Sequence, residues 1–337
     1  YSRNLLVVLD TNLDLTGTTI YPIPTFGGTF DGQGHSITGV ALATDGSHQG
    51  LFRYVQEGAV IKNLHVTGTI APENGRCQLG GLAGENRGAI ISCSFTGSVT
   101  GLNAVGGLVG ENYGTIRDCA ASGTVDGKRM TGGIAGYSAS YMSDCYNTGI
   151  ISGANYVGGI NGQSAQTVAR VYSAGEVTGT GSFVGGLTYS SAVTYYPSAS
   201  ACDLRMSPNA SVVNLLDPNN QGRNTENMTG TALQSILGTD NWTYGAGLQY
   251  PMLTLLSGAE APASARNASI ASTAAVQLQG AQTVNDVTST FSNFTTDATW
   301  NFKAVDQGVL DVTNANTTGS INVIGCGVET LKVESGT

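Results

Sequence analysis

Positive charge is scarce in this chain of 337 residues: lysine occurs only at Lys62, Lys128, Lys303 and Lys332, and the formal net charge is −9. Nucleic-acid binding draws on cationic side chains that displace counterions from phosphates, so neither DNA nor RNA is an expected partner, and an anionic membrane surface is an equally poor one. No apolar run approaches the ~18 residues that a membrane-spanning helix needs, so no membrane insertion is expected within the chain. No charged n-region followed by an apolar h-region stands at Tyr1. The chain begins in strand-like sequence, as expected of a mature or excised piece of a longer polypeptide. Histidine is rare too, and His35, His48 and His65 are scattered. A His-Glu-x-x-His string, which sets zinc ligands on one helix face, is absent, and so are Cys-x-x-Cys and Cys/His pairs. No metal site of those types is expected and no catalytic residue is assigned.

Glycine, by contrast, is abundant at 48 residues, without the Gly-X-Y period of collagen. Its distribution is regular. Gly80-Gly81-Leu82, Gly106-Gly107-Leu108, Gly132-Gly133-Ile134, Gly158-Gly159-Ile160 and Gly185-Gly186-Leu187 recur at 26, 26, 26 and 27 residues. So even a period is the signature of a solenoid, whose units bury their apolar faces only against their neighbours. Each unit carries three apolar bursts. The first is the Gly-Gly-Leu phrase with Leu79, Val105, Val157 or Val184 before it. The second holds Ile90, Ile116, Met142 and Val168, and the third holds Val99, Val125, Ile151 and Val177 behind a column of Gly97, Gly123, Gly149 and Gly175. Three short strands per coil, ended by glycines where positive φ or close approach is required, predict an all-β fold, a parallel β-helix of ~26-residue coils. Frequent glycine and β-branched residues argue against helical repeats.

Cys93, Cys119 and Cys145 share one repeat position, where the next copy has Val171. A slot that accepts valine is interior, and side chains in register on coils ~4.8 Å apart point in parallel, so a ladder of buried free thiols is expected rather than disulfides.

Five segments follow. Residues 1–78 are an opening cap with irregular coils, including strand candidates at Leu5–Leu9 and in Gly28–Ile37. Residues 79–188 are the regular coils. Residues 189–256 form a cap over the open end, with a helix at Thr231–Leu237 N-capped by Thr229 or Thr231 and stopped by Gly238. Residues 257–267 are a small-residue linker. Residues 268–337 alternate as an all-β sandwich.

The phrase Gly-Gly-Leu-Val-Gly-Glu-Asn-x-Gly-x-Ile at 106–116, its copy at 80–90, and Cys119-Ala-Ala-Ser-Gly-Thr-Val closely resemble the GLUG motif of bacterial surface proteins. Leu248-Gln-Tyr-Pro-Met-Leu253 resembles the Tyr-Pro-x-Leu ending of such regions. Trp300, Val309–Val312 and Gly319–Val333 resemble bacterial Ig-like domains of the group 2 type. GLUG regions occur in surface adhesins and in the non-catalytic part of IgA-cleaving metallopeptidases. The resemblance therefore implies a right-handed β-helix with a C-terminal Ig-like β-sandwich, in an extracellular or cell-surface-attached bacterial protein. It implies adhesion to a protein or glycan of the host or of a neighbouring cell.

Several residues bear on function. Glu85 and Glu111 are equivalent on successive coils, as are Asp118 and Asp144; such pairs bind a cation or share a proton, or are solvated face residues with Arg170 next in the Asp column, and the second account is favoured. Asp10-x-Asn12-x-Asp14 has the alternating oxygens of a calcium loop but lacks its sixth-position glycine and distal glutamate, so it is either a calcium ligand set or an ordinary turn. The columns that differ between copies, rather than the repeated glycines, are the place for recognition: Arg87, Tyr113, Tyr137 and Tyr141 are the ligand-face candidates. Two further functions stay open, a structural subunit that assembles with itself end to end into a filament or sheath, and a glycan-active β-helix enzyme.

Overall fold

The computed structural model describes residues 4–74, 76–181, 183–189, 197–203, 220–223, 228, 231–244 and 250–256, and beyond these only the backbone of short strands between 276 and 332. It is a parallel β-solenoid of about seven turns with almost no helix. Each regular coil contributes to three parallel sheets. One sheet stacks Cys77–Gly80, Asn103–Gly106, Arg129–Gly132, Asn155–Gly158 and Val184–Gly185. A second stacks Phe52–Val55, Ala83–Asn86, Val109–Asn112, Ala135–Ser138, Asn161–Ser164 and Thr188–Tyr189. The third and longest runs from Leu6–Val8 through Thr29–Asp31, Val60–Ile70, Ala89–Thr100, Thr115–Asp126, Met142–Asn147 and Val168–Ser173 to Ser200–Asp203 and Asn220–Arg223. The solenoid thus begins well before the strict period, and the first two strands of its fifth regular coil form.

The three apolar bursts are not three strands. In two coils the second and third bursts are one 12-residue strand, Ala89–Thr100 and Thr115–Asp126, turned at a left-handed residue, Ser92 (φ 51°) or Asp118 (φ 55°). The strand that apolar pattern misses is the Gly-Glu-Asn segment, Ala83–Asn86 and its copies. It escapes notice because its inward residue is polar: Asn86 and Asn112 are fully buried.

Inside the coils, like residues stack in register. Ile61, Ile90, Ile116, Met142 and Val168 form one buried column, and Leu64, Cys93, Cys119, Cys145 and Val171 another. The five described cysteines are free and all but Cys77 are buried, as the valine in the slot implies. Each fully buried aliphatic side chain contributes roughly 1.5–3 kcal/mol, and none of these columns can be buried by one coil alone. The repeated glycines are steric. A Cβ at Gly81 would lie 2.2 Å from the ring of Phe95, and one at Gly107 would lie 2.2 Å from the carbonyl oxygen of Gly133.

The C-terminal cap differs from expectation in place and in detail. Tyr146 and Tyr172, on the outer side of the long sheet, stack with ring centroids 5.2 Å apart. Met228, Leu233, Leu237, Trp242, Tyr250, Leu253 and Leu256 bury against them, and the Tyr172 hydroxyl donates to the carbonyl of Pro251 at 2.6 Å. The described residues between 228 and 256 therefore cover a side wall of the solenoid, because two stacked outward tyrosines present an apolar surface there, whereas Ser200–Asp203 and Asn220–Arg223 extend the long sheet at its C-terminal end. The helix is a single turn, Gln234–Leu237, with Leu233 at its N-cap and no side-chain cap; Gly238 ends it at φ 81°. Thr229 and the 257–267 linker lie outside the described residues.

In the 268–337 segment the described strands pair in parallel: Val276 with Phe294, Gln282 with Trp300, Trp300 with Ile321 and Val309 with Thr330. An Ig-like sandwich is built from antiparallel sheets, so these pairs depart from that expectation.

Candidate ligand-binding strip

Two outward columns run side by side where the first and second sheets meet. Pairing in register sets Tyr54, Glu85, Glu111, Tyr137, Gln163 and Tyr189 in one column. The other holds His48, Gln78, Ala104, Met130 and Tyr156, each on a left-handed backbone with φ between 52° and 57°. The left-handed backbone aims the side chains of His48, Gln78 and Tyr156 at the next coil of the first column. His48 Nε2 lies 3.5 Å from Glu85 Oε2. Gln78 Nε2 donates to Glu111 Oε1 at 3.3 Å, and the Tyr156 ring meets Tyr189 at 5.2 Å.

The strip changes character along its length. Toward the N-terminal coils it is charged: Arg87 donates to Glu85 Oε1 at 2.5 Å and lies 5.0 Å over the ring of Tyr113, whose hydroxyl donates to Glu111 Oε2 at 3.1 Å. Burial, and then the charge of Glu111 and the hydrogen bond to it, push the Tyr113 hydroxyl up to about 12, so it stays a donor at neutral pH. Toward the C-terminal coils the strip is aromatic. Tyr156 and Phe183 stack at 4.9 Å, Phe183 and Tyr189 approach to 4.8 Å, and Arg129 lies 5.2 Å over Tyr156. Tyr113 and Tyr137, 6.0 Å apart, join the two ends.

Of the four ligand-face candidates, the structure therefore brings Arg87, Tyr113 and Tyr137 together. Tyr141 is 49% exposed and lies apart, near Arg170. Arg170 grips Asp144 with two hydrogen bonds of 2.7 and 2.5 Å, beside a cleft of about 370 Å³ shared with Asp240 and Asn241. Burial acting alone would raise the Asp144 carboxyl, but the bonds from Arg170 hold it below its ordinary range. Asp118, one coil earlier, is raised by burial, with the charge of Asp144 adding and Arg117 opposing.

Asp10, Asn12 and Asp14 serve the first coil as turn and inter-coil acceptors. Asp10 Oδ1 accepts from Gln33 Nε2 (3.3 Å), Asn12 Oδ1 from the Ser36 amide (3.0 Å), and Asp14 Oδ1 from the Thr16 amide (2.9 Å). Their side chains are thus engaged with different partners along the chain. Sequence reasoning missed His48. The usable signal was Gly50-Leu51-Phe52, an early copy of the repeated phrase that sets Gln49 opposite Leu79, and hence His48 beside Gln78.

The fold is thus that of a parallel β-solenoid whose outward columns carry the variable chemistry. The family model of the GLUG motif matches residues 75–100 and 101–126, the two coils that hold Glu85, Arg87, Glu111 and Tyr113. No curated protein sequence matches the chain. Among solved structures, the chain is similar to one described as a "putative immunoglobulin A1 protease from Bacteroides ovatus", with a TM-score of 0.48 at 17% identity, over 75% of this chain and 86% of that one. Among the described residues no helix is long and apolar enough to cross a membrane.

Proposed function

We propose that the chain is a non-catalytic, ligand-presenting β-solenoid of a bacterial surface or secreted protein, with the 268–337 segment as a spacer, and that the strip from Arg87 to Tyr189 binds a glycan or protein of another cell. The observation that carries this is the division of labour within the coil. Glycine, Ile/Val and thiol positions are consumed by the core, whereas the outward columns that vary between copies gather Arg, Tyr and Phe on one rigid surface. Tyrosine and arginine supply contact area and directed hydrogen bonds at small entropic cost when their backbone is already fixed. Glu85 and Glu111, the best residues for a glycan-active enzyme, are tied to Arg87, Gln78 and Tyr113, which supports binding rather than turnover. Glycan-array and host-protein screens with the parent, R87A, Y113A and Y137A test the proposal. A ligand whose affinity falls about tenfold or more in those variants, and not in Y141A, supports it. Binding indifferent to all three variants, or a turnover abolished by E85Q, overturns it.

A second function is favoured by the first coil. Leu6–Val8 pairs with Thr29–Asp31 on one edge, while Leu6 is 63% exposed and Leu5, Val8 and Leu13 are exposed as well. An apolar strand of this kind accepts a strand from a second copy, as end-to-end assembly into a filament or sheath requires. Size-exclusion chromatography with electron microscopy separates the two: a monodisperse monomer rules out the filament.

A further inference from the structure

From the charged end of the strip we infer that His48, Glu85 and Glu111 form a binding site for a divalent transition metal, with zinc the best fit. One ligand atom from each of the three side chains lies within 4.8 Å of the others. Zinc held at about 2.0–2.2 Å by nitrogen and oxygen sets neighbouring tetrahedral ligands about 3.4 Å apart, and His48 Nε2 already stands 3.5 Å from Glu85 Oε2. Glu111 supplies the third ligand atom, within 4.8 Å of the other two, and a side-chain shift on the order of 1 Å brings it to that spacing. Three protein ligands on an outward strip leave the remaining position to solvent or to a ligand's oxygen.

The charge pattern points the same way independently. Glu85 and Glu111 lie in register on adjacent strands, where like charges repel. The same column carries Tyr54, Tyr137, Gln163 and Tyr189 elsewhere, so the fold does not demand glutamate there. Only Arg87 forms an ion pair with either carboxylate besides His48, among the described residues, and it takes Glu85 Oε1, leaving Oε2 toward His48. Gln78 and Tyr113 hold Glu111 from two sides, and the Tyr54 ring packs 4.9 Å from the His48 imidazole. Metal ligands are oriented by outer partners of this kind. An imidazole with two carboxylates suits zinc and its first-row neighbours, whereas calcium takes six to eight oxygens and no nitrogen. The three ligands come from three successive coils, so the ion fastens the irregular opening coil to the regular ones. The site does not rest on the proposed recognition of a glycan or protein, because metal binding is read without that ligand.

Isothermal titration calorimetry of zinc chloride into the chelator-treated full chain tests the assignment, with cobalt(II) absorption as a second readout of coordination. The expected result is one zinc per chain, an affinity lowered about 10- to 100-fold in H48Q and E85Q, and no change in C77S. Each variant's melting transition in chelator is measured alongside, and E111Q replaces any variant that does not fold. Zinc bound equally by the parent and the folded His48 and Glu85 variants overturns the site, as does the absence of zinc binding by the parent.

Discussion

Asn86 donates from Nδ2 to Oδ1 of Asn112 at 2.8 Å, one coil further on, in a solenoid interior where both side chains are fully buried. Asn112 continues the ladder to Ser138 Oγ at 3.1 Å, and each asparagine oxygen also accepts the amide two residues on, Gly88 or Gly114. A buried amide side chain is tolerated because its partners are supplied by the coil itself and by its neighbours. Replacing Asn112 by alanine leaves Asn86 Nδ2 without its best acceptor and the Gly114 amide without a partner. The expected cost is about 2–4 kcal/mol, read as a lowered denaturant midpoint at constant slope. A change within 0.5 kcal/mol would show that the ladder is not structural.

The opposite sign is expected one sheet away. Thr131 stands in register between the aliphatic Val105 and Val157; it is fully buried, and its Oγ1 has no hydrogen-bond partner. Valine has nearly the same shape and no hydroxyl to desolvate. T131V is therefore expected to stabilise the solenoid by about 1–3 kcal/mol, seen as a higher melting temperature. An unchanged or lower one means that Oγ1 is satisfied in solution.

The Asp column makes stability depend on pH in two senses. The Asp144 carboxyl is held below its ordinary value of 3.8, so its contribution is present above that value and is lost as pH falls through the lowered one. Asp118 is raised above 3.8, so its contribution is full below 3.8 and is lost as pH rises through the raised value. D118N removes the second effect together with the Arg117 ion pair and the repulsion with Asp144, and asparagine suits the left-handed backbone at φ 55°. The variant is expected to be more stable than the parent at neutral pH, with the difference shrinking as pH drops below 4. Urea melts at a series of pH values check it, and a difference that does not vary with pH refutes the Asp118 assignment.

The coil, the thiol ladder and the glycine columns were legible because each repeats at one spacing and each demands one kind of neighbour. At Gly97 and Gly123 the demand is double: φ is 152° and 100°, and a Cβ would lie about 2 Å from the carbonyl of the preceding coil's glycine. Less legible were features that depend on register between unlike segments. Asn86 hides a strand because polar residues do not mark an interior. His48 lies outside the strict period, and only pairing through Gln49 and Leu79 brings it to Glu85. Tyr146 and Tyr141 read alike in sequence. A shift of five positions along the coil puts the first beneath Trp242 and leaves the second exposed.

The thiol ladder gives a test of how the coils open. The Sγ–H groups of Cys93, Cys119 and Cys145 donate to carbonyls of their own strand, those of Ile91, Arg117 and Ser143, at 3.3, 3.1 and 3.2 Å. Burial pushes the Cys93 and Cys119 thiols well above their ordinary range and Cys202 up to about 12. The thiolate is the reactive form, so a soluble thiol reagent is expected to label Cys77, which is part-exposed, and to spare the other four described cysteines in the folded protein. Adjacent coils share the core, so opening one coil uncovers the faces of its neighbours. Cys93, Cys119 and Cys145 should then become reactive together as denaturant is raised, which peptide mass spectrometry resolves site by site. Labelling of Cys145 well before Cys93 would show that the coils fray in sequence from the C-terminal side rather than opening as one unit.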